Sequence, residues 1–284
     1  LPEDSSLTRI VVLGDSFTEG YGVDVDSCFV KRLERRLNNS SDPRFRVYNC
    51  GISGFSPLLE YLLLRKKAIA LRPDLIIMEF DMSDVMDDHA LTKIAEFDRE
   101  GVPARVRPSA PELGSVHWFP DGAFKNFIYH HSYIYSLAIP LLTALKPRPP
   151  ATQGDPNGGI YVTSLESTDV QAPTLFDLSE SYILLTKEVC DRLGIPFLLS
   201  VHPRGHQVHS VEWKQGREYW GFERRVYDSA IFRSLERFAT RSAIPFLNMT
   251  ASFRRRSTGG NLYLANDGHW TNAGHQVAAD TLYE

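Results

Sequence analysis

Ser16, Asp267 and His269 have the residue types and local spacing for acyl chemistry. Ser16 lies in Arg9-Ile-Val-Val-Leu-Gly-Asp-Ser-Phe-Thr-Glu-Gly20, directly after a short apolar run. Asp267-Gly268-His269 puts a carboxylate and an imidazole on one local turn near the other end of the chain. A hydroxyl is a poor nucleophile at neutral pH and needs a base, a group that orients the base, and donors for the developing oxyanion. Histidine, with an ordinary pKa of ~6.5, suits the base, and a carboxylate beside it fixes its tautomer and stabilises the imidazolium. Each feature also has a plainer reading. Ser16-Phe-Thr-Glu19 has the form of a capping box, with the serine opening a helix. The two readings are compatible, because a helix N-terminus favours negative charge. Asp-Gly-His can equally be the turn that caps the last helix.

Chemistry at these positions requires both loops to lie at one edge of a sheet. Ile10–Leu13 is a run of large aliphatics, the mark of a strand buried on both faces, and Gly14 ends it. Asp26 or Ser27 offers a cap for a helix whose apolar stripe is Phe29, Val30, Leu33 and Leu37. Phe45–Tyr48 is the next strand and runs into Asn49-Cys-Gly51-Ile-Ser-Gly54. Ser56-Pro57 then reads as a cap followed by proline at the first helical position. Leu75–Phe80 is a third apolar strand, leading into Asp81-Met82-Ser83-Asp84. Helix alternates with strand again later. Ser179–Leu193 is an amphipathic helix stopped by Gly194, Ile195–Val201 a strand, residues 217–240 largely helical, Ile244–Met249 a strand, and a final helix starts at Asn272. This alternation predicts a parallel sheet with right-handed crossovers, and ligands bind at the carboxyl ends of such strands.

The span from about 89 to 175 breaks the pattern. Prolines punctuate it, aromatics cluster from Trp118 to Tyr135, and 146–159 is rich in proline and glycine. It reads as an insertion on the sheet that partly lines the site, within a single domain covering 1–284.

Composition narrows the partners. The 284 residues are 43% hydrophobic and 23% charged, with a net charge of −4, so no basic field for nucleic acid exists. No apolar run reaches the ~20 residues that cross a membrane. Cys28, Cys50 and Cys190 are odd in number and far apart, which gives no disulfide framework. His202, His206 and His209 have a spacing that zinc could use, yet they follow a strand in a loop and read as structural or substrate-contacting. Asp87-Asp88-His89 reads as a solvated loop. Neither a P-loop nor a Rossmann fingerprint is present, so no nucleotide cofactor is expected, and no metal either. The chain opens on Leu1, not methionine, which leaves room for a removed targeting or anchor segment. No compartment is assigned.

Read as a set, four blocks resemble the GDSL/SGNH hydrolases. They are Gly-Asp-Ser at 14–16, Asn-x-Gly-x-x-Gly at 49–54, the acidic turn at 81–84 and Asp-x-His at 267–269. They stand in that family's order, and the resemblance covers residues 9–88 and 180–284. The α/β-hydrolase elbow Gly-x-Ser-x-Gly is absent around Ser16. The resemblance implies a three-layer α/β/α sandwich with a flavodoxin-like, five-stranded parallel sheet and a large insertion after strand three. It implies Ser16 as nucleophile and His269 as general base with Asp267 orienting it. The oxyanion donors would be the N–H groups of Ser16 and Gly54. The third block departs from the family's Gly-x-Asn-Asp: Ser83 takes the place of the asparagine that supplies a third donor. Losing one such donor costs on the order of 3 kcal/mol. The family's commoner Asp-x-x-His form would put Asn266 at the acid position, and Asp267 is preferred because it is charged. The activity implied is ester hydrolysis through an acyl-enzyme, on short-acyl esters such as acetylated carbohydrate or lipid esters. Two alternatives stay open: an O-acyltransferase acting on a carbohydrate, and a catalytically silent carbohydrate- or ligand-binding protein of the same fold.

Overall fold

The structure is a computed structural model that describes residues 7–39, 44–107, 176–228 and 232–284. Its strands are β1 (Thr8–Gly14), β2 (Phe45–Gly51), β3 (Leu75–Phe80), β4 (Ala95–Phe97), β5 (Pro103–Val106), β6 (Phe197–Val201) and β7 (Phe246–Asn248). The helices are α1 (Ser16–Glu19), α2 (Phe29–Leu37), α3 (Pro57–Lys66), α4 (Asp84–Thr92), α5 (Asp177–Leu193), α6 (Gly205–Val208), α7 (Lys214–Trp220), α8 (Phe232–Arg241), α9 (Thr250–Arg256) and α10 (Asn272–Tyr283). Five strands form one all-parallel sheet in the order β2-β1-β3-β6-β7. That is the flavodoxin-like order of a doubly wound sheet.

The unbroken apolar run of β1 follows from burial on both faces. Val11 and Leu13 join Ile76 and Met78 of β3 against Leu58 and Leu64 of α3, Ile183 of α5 and Leu235 of α8. Ile10 and Val12 point the other way, with Ile77, toward Phe29 and Leu33 of α2, Phe253 of α9 and Ala278 of α10. Two helical layers thus enclose the sheet. The buried Trp270 holds the second layer near the site, edge-on to Phe17 at 5.0 Å between ring centroids.

Several elements differ from their sequence readings, each for a physical reason. The stretch 217–240 is two helices, not one. Gly221 ends α7 in the left-handed region (φ 70°). The chain beyond it is held open by the buried Arg217, which donates to the carbonyls of His209, Glu212, Glu223 and Arg225. Neither Asp26 nor Ser27 caps α2; the Phe29 N–H donates to His275 Nδ1 at 3.2 Å. Pro57 does open α3, but the Ser56 hydroxyl donates to Asp88, and Asp88 also accepts the Leu58 N–H. Asp87-Asp88-His89 lies inside α4, with Asp88 buried, instead of in a solvated loop. The last strand is shorter than read, because Pro245 precedes its pairing residues. Of the expected insertion, the end of α4 and the antiparallel β4–β5 hairpin are described. The aromatics at 118–135 and the loop at 146–159 lie outside the described residues. Among the described residues no helix is long and apolar enough to cross a membrane.

Candidate active site

β1 delivers the chain to Asp15, and Asp15, not Ser16, caps the short helix that follows. Its carboxylate accepts the Phe17 N–H at 2.8 Å. Ser16 is therefore the first helical residue, with a hydroxyl not spent on capping and an N–H with no partner inside the helix. The turn is tight: a Cβ on Gly14 would come within 2.2 Å of the Thr18 hydroxyl. Ser16 Oγ lies 2.8 Å from Nε2 of His269, a hydrogen bond between residues 253 apart in sequence.

His269 comes from the loop before α10. Gly268 takes φ 85° there, and Asp267 Oδ1 accepts the backbone N–H of His269 at 2.9 Å. The cap of α10 is Thr271, which accepts from Ala273 and Gly274, so the Asp-Gly-His turn is free of that duty. The imidazole is held between Phe17 and Tyr21, with ring centroids at 4.8 and 4.6 Å. Asp267 Oδ1 stands 3.4 Å from Nδ1, and Nδ1 has no better partner among the described residues. At that distance the contact is chiefly electrostatic. Burial pulls the His269 pKa below its ordinary value; Asp267 opposes this, and Arg204 adds to it. The base is thus neutral at neutral pH.

The loop after β2 is tied to α1. Asn49 Nδ2 donates to Thr18 O at 2.8 Å, the Gly51 N–H donates back to Asn49 Oδ1 at 2.9 Å, and the Ser53 N–H donates to Glu19 at 2.8 Å. Gly51 packs so closely that a Cβ would meet the Glu19 amide at 2.3 Å. These ties present Gly54 in the left-handed region (φ 77°), exposed, its N–H donating to no described group.

Ser83, the expected third donor, is placed at the start of α4 with its hydroxyl donating to Asp81 and accepting from Arg204 Nη2 at 3.2 Å. Its proton is already used. Arg204 also forks onto Asp81, with Nε at 3.1 Å from Oδ1 and Nη2 on Oδ2. Beside this pair His202 Nδ1 lies 2.8 and 2.9 Å from the two carboxyl oxygens of Glu79. Burial pushes Glu79 well above the usual carboxylate range and His202 down to about 4. Burial also works against Asp81, but Arg204 and His202 outweigh it and hold Asp81 below its usual value. Asp15, equally buried, is raised by desolvation and then by Asp81.

Sequence reasoning missed Glu79 and Arg204 as parts of this site. A signal for Glu79 existed: it is a charge inside the apolar strand Leu75–Phe80. For Arg204 there was only its place after a strand end. The three histidines of the 202–209 cluster are separated by their contacts. His202 is on Glu79, His206 stacks on Phe222 at 4.1 Å, and His209 Nδ1 accepts the Val211 N–H at 3.3 Å. No group of three metal-ligating side chains occurs among the described residues.

A five-stranded parallel sheet in this order, with a serine at the tip of β1 facing a histidine from the last loop, is a GDSL/SGNH-hydrolase fold. Solved structures agree. The chain is similar to a catalytic mutant of Axe2, an acetylxylan esterase from Geobacillus stearothermophilus, at 13% identity and TM-score 0.50, over 97% of this chain and 92% of that one. It is similar to TesA at 13% identity and TM-score 0.50, over 97% and 96%. At such identity the likeness is one of fold. No family model and no curated protein matches the sequence.

Proposed function

We propose that the protein is a serine ester hydrolase working through an acyl-enzyme. The observation that carries this reading is the 2.8 Å contact between Ser16 Oγ and His269 Nε2. Ser16 Oγ attacks the ester carbonyl while its proton passes to Nε2, and the carbonyl electron pair moves onto oxygen. The N–H groups of Ser16 and Gly54 receive that oxyanion. Collapse breaks the bond to the alcohol, which leaves with the proton from His269. Water, deprotonated in turn by His269, then cleaves the Ser16 ester. Asp267 stabilises the imidazolium that forms at both steps. Short-acyl esters, acetylated sugars among them, are the substrate class to offer first, since the acetylxylan esterase Axe2 shares the fold.

p-Nitrophenyl acetate and a fluorophosphonate probe test this directly. Folded wild-type protein is expected to turn over the ester and to be labelled at Ser16, and Ser16→Ala to lose both. Folded wild type that does neither would overturn the reading. Acetylated xylose oligomers, offered as donor with water or free sugar as acceptor, then separate hydrolysis from acyl transfer.

A further inference from the structure

We propose that the guanidinium of Arg204 is the cationic donor facing the oxyanion formed on attack by Ser16; this rests on the reading of Ser16 as an ester-attacking nucleophile. Arg204 follows β6. Its Cζ lies 4.9 Å from the ring centroid of Phe17, the residue after Ser16 and a ring neighbour of His269. The side chain is almost wholly buried and is anchored through Nε and Nη2 to Asp81 and Ser83. Nη1 makes no hydrogen bond to any described residue, and it is not among the polar atoms sealed from solvent. A fixed guanidinium with one open N–H edge is a preorganised electrostatic device, since it needs no reorganisation as charge develops.

The charge balance points the same way. Asp15, Glu79 and Asp81 are all buried around the tip of β1 and the end of β3. Negative charge developing on a substrate oxygen beside them is opposed by Asp81 in particular, which is held ionised. Two arginines are buried among the described residues. Arg217 is taken up by the backbone carbonyls of His209, Glu212, Glu223 and Arg225. Arg204 is the other, and its Cζ lies over the ring of Phe17, the residue after Ser16. Ser83 cannot supply the missing donor while its proton is on Asp81, so the pair Asp81–Ser83 acts as the bracket and Arg204 as the group it aims. A forked guanidinium can hold Asp81 on one edge and offer another, which a lysine ammonium cannot do.

The test uses p-nitrophenyl acetate kinetics on the full chain with Arg204→Lys, the charge-neutral double variant Arg204→Met/Asp81→Asn, and Ser83→Ala. Folding is checked by circular dichroism and thermal melting. The double variant leaves no unpaired buried charge, and Arg204→Lys keeps a cation for Asp81, so the set still reports if a simple truncation fails to fold. Removing an oxyanion donor lowers kcat about 100-fold, and both Arg204 replacements are expected to do so with KM little changed. Ser83→Ala, which removes an acceptor from Arg204 and no donor from the oxyanion, is expected to lose less. The second readout is affinity for a methyl boronate, which forms a tetrahedral adduct on Ser16. A donor to the oxyanion predicts that boronate affinity falls in step with kcat, whereas a purely structural role does not. Retained kcat in Arg204→Lys and the double variant, or loss of kcat with boronate affinity intact, would overturn the assignment while leaving Ser16 as nucleophile. Wild type that is neither turned over nor labelled at Ser16 would remove the esterase reading and this one together.

Discussion

Asp267 reaches His269 less well than His269 reaches Ser16. Its Oδ1 is shared with the His269 backbone N–H, stands 3.4 Å from Nδ1, and its side chain is 42% exposed. A well-bonded, buried carboxylate in this role is worth ~10⁴ in kcat. Partial exposure screens the one seen here, so Asp267→Asn is expected to lower kcat only about 10-fold. The pH profile gives a sharper check. Activity needs neutral His269 and is lost as pH falls through its pKa, which burial has already lowered. Asp267 opposes that lowering, so Asp267→Asn is expected to move the acid limb of kcat/KM to lower pH. A limb that stays put or moves up would show that Asp267 is not coupled to the base. Ser16 stands at the end of β1 just after Gly14, and Asp267 and His269 flank Gly268 in one turn, so the local spacing of all three is written in the sequence. Glu79 and Arg204 were not readable as parts of the site, because their meaning depends on charges brought together from two separate strand ends, β3 and β6, which no local spacing records.

At the scale of elements, the sheet was legible because burial on both faces forces unbroken aliphatic runs such as Ile10–Leu13 and Leu75–Phe80. Capping was the least legible part. The donors of α2 and α3 are satisfied from distant segments by His275 and Asp88, and adjacent Ser27 and Ser56 do not serve. Asp88 also fastens three helices. It accepts the Ser56 hydroxyl and Leu58 N–H of the α3 start, and the Ser179 hydroxyl of α5, each at 2.6–3.1 Å and all buried. Asp88→Ala leaves those donors without a partner, at 1–3 kcal/mol each before the hydroxyls rotate away, so a net loss of about 3 kcal/mol is expected. Asp88→Asn keeps an acceptor oxygen and is expected to lose less than half of that. Urea unfolding of both variants decides the matter: equal stability of Asp88→Ala and wild type would show that packing alone joins α3, α4 and α5.

The whole molecule carries an unusual load of buried acid. Asp15, Glu60, Glu79, Asp84 and Asp88 are all buried, Glu60 and Asp84 feel the repulsion of the neighbouring acids, and among the described residues both carboxyl oxygens of Glu60 lack a partner. Desolvation first, and mutual repulsion after it, raise Asp15, Glu60, Glu79 and Asp84; burial carries Asp88 to about 7 and Asp87 to about 6. A carboxyl whose folded pKa exceeds its unfolded ~4 holds its proton more tightly when folded. Stability is therefore lost as pH rises from that unfolded value through the raised one. Buried histidines act oppositely: His202, at about 4, and His275, at about 3, lose stability as pH falls below ~6.5. Above pH ~6.5 the histidines are neutral in both states and drop out, leaving the buried carboxyls and, toward pH ~8.5, the thiols of Cys50 and Cys190, which burial raises and which act in the same direction. The melting temperature is thus expected to fall between pH 6.5 and 8.5, on the order of 5 °C. A flat or rising curve over that interval, measured by differential scanning fluorimetry, would refute the reading of these acids as protonated in the fold. Glu60→Gln isolates the cause. It keeps the shape of a side chain whose oxygens accept nothing, and it removes one proton from the balance, so the variant is expected to melt higher than wild type at pH 8.5 and to show a shallower slope. His269 must be neutral for attack, and its lowered pKa lets that happen below pH 6.5, where the buried acids still favour the fold. Lowering the base by burial therefore keeps activity inside the pH range in which the protonated acids around the site favour the fold.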